Sequence, residues 1–173
     1  MCTHHPSSAS AVLRLPRREF LLRAGAAPLL LGPLAGLLSG CGKGDWPEGM
    51  VPIRWDRDTC VRCNMVISDQ RFAAELRGGP AGTAFKFDDL GCLLFWLQEA
   101  AAKHPWMGEV ATRMWVADFE SPGRERMNWL DPRQARYVVR TSPMGYNFAA
   151  LAAAQADAIG FEEMRRQTLA RGK

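Results

Sequence analysis

Residues 71–103 read RFAAELRGGPAGTAFKFDDLGCLLFWLQEAAAK, and this stretch carries most of the information about the fold. The run 71–76 predicts a strand, and the Gly- and Pro-rich residues 78–82 predict a hairpin turn after it. Residues 83–87 predict the returning strand, because apolar or β-branched side chains alternate there with period two. The residues that share one face of this strand are Thr83, Phe85 and Phe87.

A helix is expected directly after the hairpin. Asp88 or Asp89 can cap its first turn, and leucines at the spacing i, i+3, i+4, i+7 form an apolar stripe. These leucines are Leu90, Leu93, Leu94 and Leu97. The helical pattern continues to Lys103 and stops at His104-Pro105, and residues 113–119 then predict a third strand. The order strand, strand, helix, strand assigns residues 50–120 to a first ββαβ unit.

Residues 121–173 predict a second small unit that also mixes strands and helices. Strands are expected over 126–130 and 135–140. An Ala-rich helix is expected over 148–158, and a further helix over 161–171. The fold class is therefore α+β, with two small units.

The N-terminal residues 1–40 predict an export signal rather than part of the folded domain. Arg17-Arg18 precede an apolar stretch, 24–38, that Gly and Pro interrupt, as in a twin-arginine signal peptide. The stretch ends in small residues before Cys41, which resembles a bacterial lipobox and makes Cys41 the expected lipidation site. Residues 41–49 are then a linker between a membrane anchor and the folded domain. The alternative is an uncleaved apolar helix with a chance cysteine.

The charge of the chain argues against nucleic-acid binding. Its 173 residues carry 22 basic and 18 acidic side chains, a formal net charge of +4. Four arginines and one glutamate fall within residues 1–40, so the remainder carries 18 basic and 17 acidic residues. A nucleic-acid binder needs its basic excess on the folded domain. The pI of about 9.0 therefore says little about ligands.

Two cysteines and a methionine lie within six residues, at Cys60, Cys63 and Met65. If 63–65 is extended, the Cys63 and Met65 side chains leave the same face with Cβ atoms about 6.6 Å apart. A thiolate and a thioether form a soft donor pair that favours Cu(I) over cations requiring oxygen ligands. The motif therefore predicts a Cu(I) site at Cys63 and Met65.

Each sulfur also has a structural interpretation. Met65 could fill a gap in the core, and Cys60 and Cys63 could form a disulfide in an exported protein. A zinc ribbon requires a second cysteine pair, which the chain lacks. Cys92 lies in the apolar helix, where a buried, unreactive thiol is expected.

The principal alternative function is that of an exported thiol–disulfide oxidoreductase with Cys60 and Cys63 as its redox pair. Such a motif should open a helix, whose dipole lowers the pKa of the first thiol, but β-prone Val66-Ile67 follow instead. Pro143 is a candidate for the proline opposite a redox site. No nucleophile–base motif of a hydrolase is present. We therefore expect a protein that is not an enzyme.

Three ordered motifs resemble the NosL family of nitrous-oxide-reductase accessory lipoproteins. They lie at 58–74 (DTCVRCNMVISDQRFAA), 87–93 (FDDLGCL) and 142–145 (SPMG). The resemblance covers nearly all of the chain after the signal segment. It implies a lipid-anchored protein on the periplasmic side of the cell envelope that delivers Cu(I) to nitrous oxide reductase during its assembly, together with a dedicated transporter. It also implies two ββαβ units.

On this chain the metal motif of the family falls on Cys63 and Met65. Asn64 stands where many members have Gly, and Asn also tolerates positive φ. The resemblance makes Cys60 a candidate extra ligand or disulfide partner. Met144 is a candidate distal thioether ligand or, equally, a packed residue.

Overall fold

An antiparallel hairpin begins the fold, as the sequence predicts. The computed structural model describes residues 46–172. Strand β1 is Ala74–Gly78 and strand β2 is Thr83–Phe87, paired in a register that places Ala74 opposite Phe87. The turn needs glycine, because Gly79 and Gly82 both have positive φ, at 72° and 60°. The expected strand start at residue 71 is wrong, since Gln70–Phe72 form a 3₁₀ turn whose N-cap is Asp69.

Helix α1 follows at Leu90–Glu99, and the Asp89 side chain caps it by accepting a hydrogen bond from the Gly91 amide at 2.9 Å. The helix is shorter than expected, because it ends at Glu99, with Ala100 as its C-cap, instead of continuing to Lys103. The chain then forms a turn and a second 3₁₀ segment at Pro105–Gly108. Strand β3, Arg113–Ala117, returns beside β1 with Ala74 opposite Val116. The predicted order of the first unit is confirmed.

The second half has a different order from the one expected. The short strand β4, Trp129–Leu130, pairs with β3 and completes a sheet in the order β2-β1-β3-β4. Strands β5, Arg136–Val139, and β6, Phe148–Leu151, form a separate hairpin. Helix α2, Phe161–Arg171, comes last. The second half is therefore βββα, with its first strand in the sheet of the first half, and the expected ββαβ order is wrong there.

The expected Ala-rich helix over 148–158 is wrong because tertiary contacts override the helix propensity of alanine. All four residues of β6 are buried. Phe148 and Ala150 face one cluster of buried residues, whereas Ala149 and Leu151 face another. A strand that is buried on both faces shows no alternation of apolar and polar residues. Its sequence therefore gave no sign of a strand.

The main core lies beside α1 and joins both halves. It includes buried side chains of α1, β2, β5 and the segment before β6, and α1 contacts α2. Its largest fully buried members are Leu76, Phe87, Leu90, Leu93, Leu94, Tyr137, Tyr146 and Met164. Residues 46–172 belong to one compact unit. The α+β class is confirmed.

Two further expectations concern the N-terminal segment. The export signal over 1–40, the lipidation site Cys41 and most of the 41–49 linker lie outside the described residues. Within 46–172, no helix has the length and apolar character needed to cross a membrane.

Candidate metal centre

The CxxC motif forms a closed loop rather than an extended segment. The Cys60 amide donates to the Met65 carbonyl at 2.8 Å, and the Asn64 amide donates to the Cys60 carbonyl at 2.9 Å. Asn64 has a φ of 61°, in the left-handed region that asparagine tolerates. The segment 63–65 is therefore not extended, and the condition for placing Cys63 and Met65 on one face of a strand is not met. The Val61 amide donates to the Lys86 carbonyl at 3.0 Å, which ties the loop to β2.

The two aspartates before α1 have different surroundings. Asp89 caps the helix, and its carboxylate also accepts from the Ser142 hydroxyl at 2.5 Å and the Met144 amide at 3.2 Å. Asp88 is 2% exposed and accepts a hydrogen bond from the Cys63 thiol at 3.3 Å. Cys92 lies in the first turn of α1, so the residue before the cap and the helix start both present a side chain to the loop. Asp89 thus organises the helix, and Asp88 faces the cysteines.

Four side chains from the loop and the start of α1 converge. The Sγ atoms of Cys60, Cys63 and Cys92 and a carboxylate oxygen of Asp88 all lie within 4.8 Å of one another. A metal–thiolate bond of about 2.3 Å separates two ligands of one ion by at most about 4.6 Å. All three cysteines are free thiols. Small side-chain movements would therefore let these four residues hold one metal ion.

The charge of this cluster follows from burial and internal hydrogen bonds. The Cys92 thiol donates toward the Cys60 sulfur and lowers the pKa of Cys60, which amide N–H groups of Cys63, Asp88 and Arg62 lower further. The same hydrogen bond and burial raise the pKa of Cys92. Burial raises the pKa of Cys63. Burial, together with the Cys60 charge, raises the pKa of Asp88 to about 6. One sulfur is thus prepared as a thiolate.

Arg62, between the two cysteines of the motif, connects the loop to both halves of the fold. Its Nε and one terminal nitrogen donate to the Glu99 carboxylate at 2.9 and 2.8 Å. The other terminal nitrogen donates to the Tyr146 hydroxyl at 2.6 Å. The guanidinium also lies 4.7 Å from the centre of the Phe95 ring. These contacts hold the backbone that carries Cys60 and Cys63.

The residues predicted as ligands occupy three different environments. Cys60 and Cys63 lie in the cluster. Met65 is 56% exposed and lines an open cavity that Asp88 also reaches. Met144 is half-buried and packs against the main core, and its amide donates a hydrogen bond to the Asp89 carboxylate. The predicted lipidation site, Cys41, lies outside the described residues.

Two residues of the cluster were not identified as candidate ligands from the sequence. Asp88 was expected to be a helix cap and Cys92 an unreactive buried thiol. Cys92 is indeed fully buried, but its sulfur faces those of Cys60 and Cys63. Asp88 lies before the cap of α1 and outside the helix, so no helical spacing links it to Cys92, and the sequence offered no local signal for this pair.

The motif lacks the helix start and the exposed first cysteine of a catalytic thiol–disulfide pair, although hydrogen bonds lower the pKa of Cys60. No helix begins at Cys60 or Cys63, and the next helical turn in the described chain is the 3₁₀ segment at Gln70–Phe72. Cys60, the first cysteine, is fully buried, whereas reactive cysteines are partially exposed. The geometry of the loop therefore suits ligation better than attack on a disulfide.

Comparison of the sequence with protein-family models and with curated proteins finds no match. Among solved structures, the chain is similar to the copper chaperone NosL from Shewanella denitrificans, with 20% sequence identity and a TM-score of 0.47. The similarity covers 70% of this chain and 89% of that one. A likeness this distant transfers neither ligands nor function. The capacity to hold a metal lies in the four residues described above.

Proposed function

We propose that this protein binds Cu(I) as cargo on the sulfurs of Cys60, Cys63 and Cys92, beside the Asp88 carboxylate, and passes the ion to another protein. The observation that carries the proposal is the convergence of three sulfur atoms and one carboxylate oxygen within 4.8 Å. Thiolates are the ligands that select soft metals such as Cu(I) and zinc. Cu(I) is preferred here because a thioether, Met65, lines the same cavity as Asp88, and thioethers are soft donors.

Access to the cluster supports transport rather than a structural role. Cys63 is half-buried, and Asp88 forms part of the wall of an open cavity beside Met65. A structural zinc site is closed by four protein ligands, whereas three sulfur ligands would leave a coordination position open. A partner's ligands can approach through this cavity. The ion can then leave without unfolding of the domain.

The acceptor that we propose is nitrous oxide reductase, with its maturation transporter as a companion. Support comes from the three ordered motifs at 58–74, 87–93 and 142–145. The predicted export signal and lipidation at Cys41 would place the protein on the periplasmic face of a membrane. A lipid anchor would raise the effective concentration of donor and acceptor at that surface. No catalytic reaction is proposed.

Titration of the reduced protein with Cu(I), against a chromogenic chelator and without oxygen, tests the binding. We expect about one tightly bound Cu(I) per chain, since the described residues contain one soft cluster. Cys63→Ser should weaken binding by about 100-fold, or about 2.7 kcal/mol. Met107→Leu, which replaces a thioether buried in the core, is the matched control and should bind as the wild type does. Wild-type affinity in Cys63→Ser, or a preference for Zn(II), would contradict the proposal.

Delivery is tested by mixing the Cu(I)-loaded protein with copper-free nitrous oxide reductase. We expect the copper absorption bands of the reductase to appear faster than with an equal amount of Cu(I) supplied on the chelator. Equal rates from the two sources would refute this acceptor, although they would leave Cu(I) binding intact.

A further inference from the structure

The sulfur atoms around the candidate metal centre differ sharply in their access to solvent. Cys60 and Cys92 are each 0% exposed. Cys63 is half-buried, and Met65 is 56% exposed. The four sulfurs therefore run from the protein interior to the surface, with Cys63 between the buried pair and the exposed thioether.

The connection between the buried cysteines and Met65 runs through Cys63 and Asp88. The Cys63 thiol donates to Asp88 at 3.3 Å, and the Asp88 residue also lines the open cavity. Met65 and Asn64 line the same cavity, together with the exposed Pro143. An ion that enters this cavity therefore meets Met65 and Asp88 beside Cys63. It does not meet Cys60 or Cys92, which are covered.

The backbone of Met65 is fixed, whereas its side chain is free to change rotamer. The Met65 carbonyl accepts from the Cys60 amide at 2.8 Å, which closes the loop. The exposed thioether has three rotatable bonds, and methionine adapts easily to different positions. Met65 is thus a mobile donor on a rigid base, a property that suits a transient ligand.

The buried cysteines, unlike Met65, are held in place by the surrounding structure. The Sγ atoms of Cys60, Cys63 and Cys92 already lie within 4.8 Å of one another, and Arg62 lies between the first two along the loop. Arg62 in turn is held by Glu99 and Tyr146. Preorganised donors of this kind favour tight binding, because little reorganisation is needed when the ion arrives.

We propose that Cu(I) occupies two successive positions that share Cys63. In the outer position Met65 and Cys63 hold the ion as it enters or leaves, and in the inner position Cys60, Cys63 and Cys92 hold it during transport. Transfer inward breaks the copper–Met65 bond and forms copper–sulfur bonds to Cys60 and Cys92. A thiol that binds releases its proton to solvent, and copper stays monovalent. The proposal rests on the proposed function and assigns Met65 to exchange rather than to storage.

Two measurements on the full chain separate storage from exchange. Equilibrium affinity is measured by competition with a Cu(I) chelator, and release is measured by stopped-flow transfer to a fast chelator. Met65→Leu, which keeps the shape and removes the sulfur, should leave the affinity within about twofold and slow release by about tenfold. Cys92→Ala should lower the affinity by about tenfold or more and should not slow release. Met107→Leu should change neither quantity.

X-ray absorption at the copper edge provides a second readout that does not depend on the folding of a cysteine variant. We expect three sulfur ligands in the loaded wild type and the same three in Met65→Leu. Loss of a sulfur ligand in Met65→Leu, or an affinity loss as large as that of Cys92→Ala, would overturn the two-position proposal. Wild-type affinity in a folded Cys92→Ala would also overturn it.

The failure of the proposed function would look different. In that case the wild type would bind no Cu(I), and none of these comparisons would show a difference. If the wild type binds one Cu(I) that depends on Cys63, the proposed function stands whichever way the Met65 and Cys92 variants behave.

Discussion

The Cys63 thiol donates a hydrogen bond to the Asp88 carboxylate across 3.3 Å, from the CxxC loop to the residue before the cap of α1. This contact brings a hard oxygen donor to a cluster of soft sulfurs. The two donor types rank metals differently, since carboxylates suit zinc and harder cations, and thiolates suit Cu(I). Asp88 therefore offers a way to separate the metals that the cluster can bind.

Asp88→Asn should lower Zn(II) affinity by about 100-fold and Cu(I) affinity by no more than about threefold. The asparagine oxygen can still accept from Cys63, so the loop should keep its position. Metal-competition titrations measure both affinities. Asp56→Asn, at an exposed aspartate paired with Arg124, is the control and should change neither. A larger loss for Cu(I) than for Zn(II) would mean that the carboxylate is a principal copper ligand.

Arg62→Lys should lower the free energy of unfolding of the metal-free protein by about 1–2 kcal/mol. A lysine ammonium cannot reproduce the paired hydrogen bonds to Glu99, the bond to Tyr146 and the stacking on Phe95 at the same time. Urea unfolding followed by tryptophan fluorescence measures the change.

Glu99→Gln is the companion variant for Arg62, and it should cost less, about 0.5 kcal/mol, because the Glu99 side chain is 48% exposed. This smaller cost should shrink further in 1 M salt, where the Debye length is about 3 Å. If both variants unfold like the wild type, Arg62 does not stabilise the loop.

Gly91→Ala should destabilise the fold by about 2–3 kcal/mol, although alanine usually favours helices. A Cβ at Gly91 would lie 2.1 Å from Cγ of Tyr146, so either the tyrosine or the helix must move. Gly108→Ala is the matched control, since nothing lies within 4 Å of its added Cβ. Thermal unfolding of the two variants compares them, and equal melting temperatures would show that the contact can relax freely.

The ionisation of Glu75 should make the stability of the metal-free protein depend on pH. It is fully buried, its Oε1 accepts from the Val51 amide at 2.8 Å, and its Oε2 has no partner among the described residues. Burial raises the pKa of Glu75 from 4.5 to about 7. The folded protein thus favours the protonated form, and this contribution is present at low pH and lost as pH rises through about 7.

The loss should reach up to about 3 kcal/mol between pH 4.5 and the alkaline side of 7. Glu75→Gln, which imitates the protonated side chain, should flatten this part of the profile, while Glu109→Gln at an exposed site should leave it unchanged. Urea unfolding at a series of pH values measures the three profiles. A wild-type stability that rises from pH 5 to pH 8 would show that Glu75 is ionised in the folded state.

Local patterns were sufficient for the first unit of the fold. The period-two strands, the glycines of the hairpin turn and the Asp89 cap each act within a few residues. The same kind of pattern failed at Phe148–Leu151, where burial on two faces hid the strand and the alanines favoured a helix. The periodicity of a sequence shows which faces of a segment are buried. Which other segment it packs against is decided by contacts distant along the chain.

The candidate site shows the same contrast between residues that local sequence predicts and residues that only long-range packing brings in. Cys60 and Cys63 could be predicted from the CxxC spacing. They are only three positions apart in one loop, so they lie close together whatever surrounds the loop. Asp88 and Cys92 join them only because β2 and α1 pack the helix start against that loop, some 25 to 30 residues further along the chain. The linear pattern of Cys92 is that of a core thiol, and its burial is as expected. Which sulfur it faces depends on long-range packing, and no local signal encodes that choice.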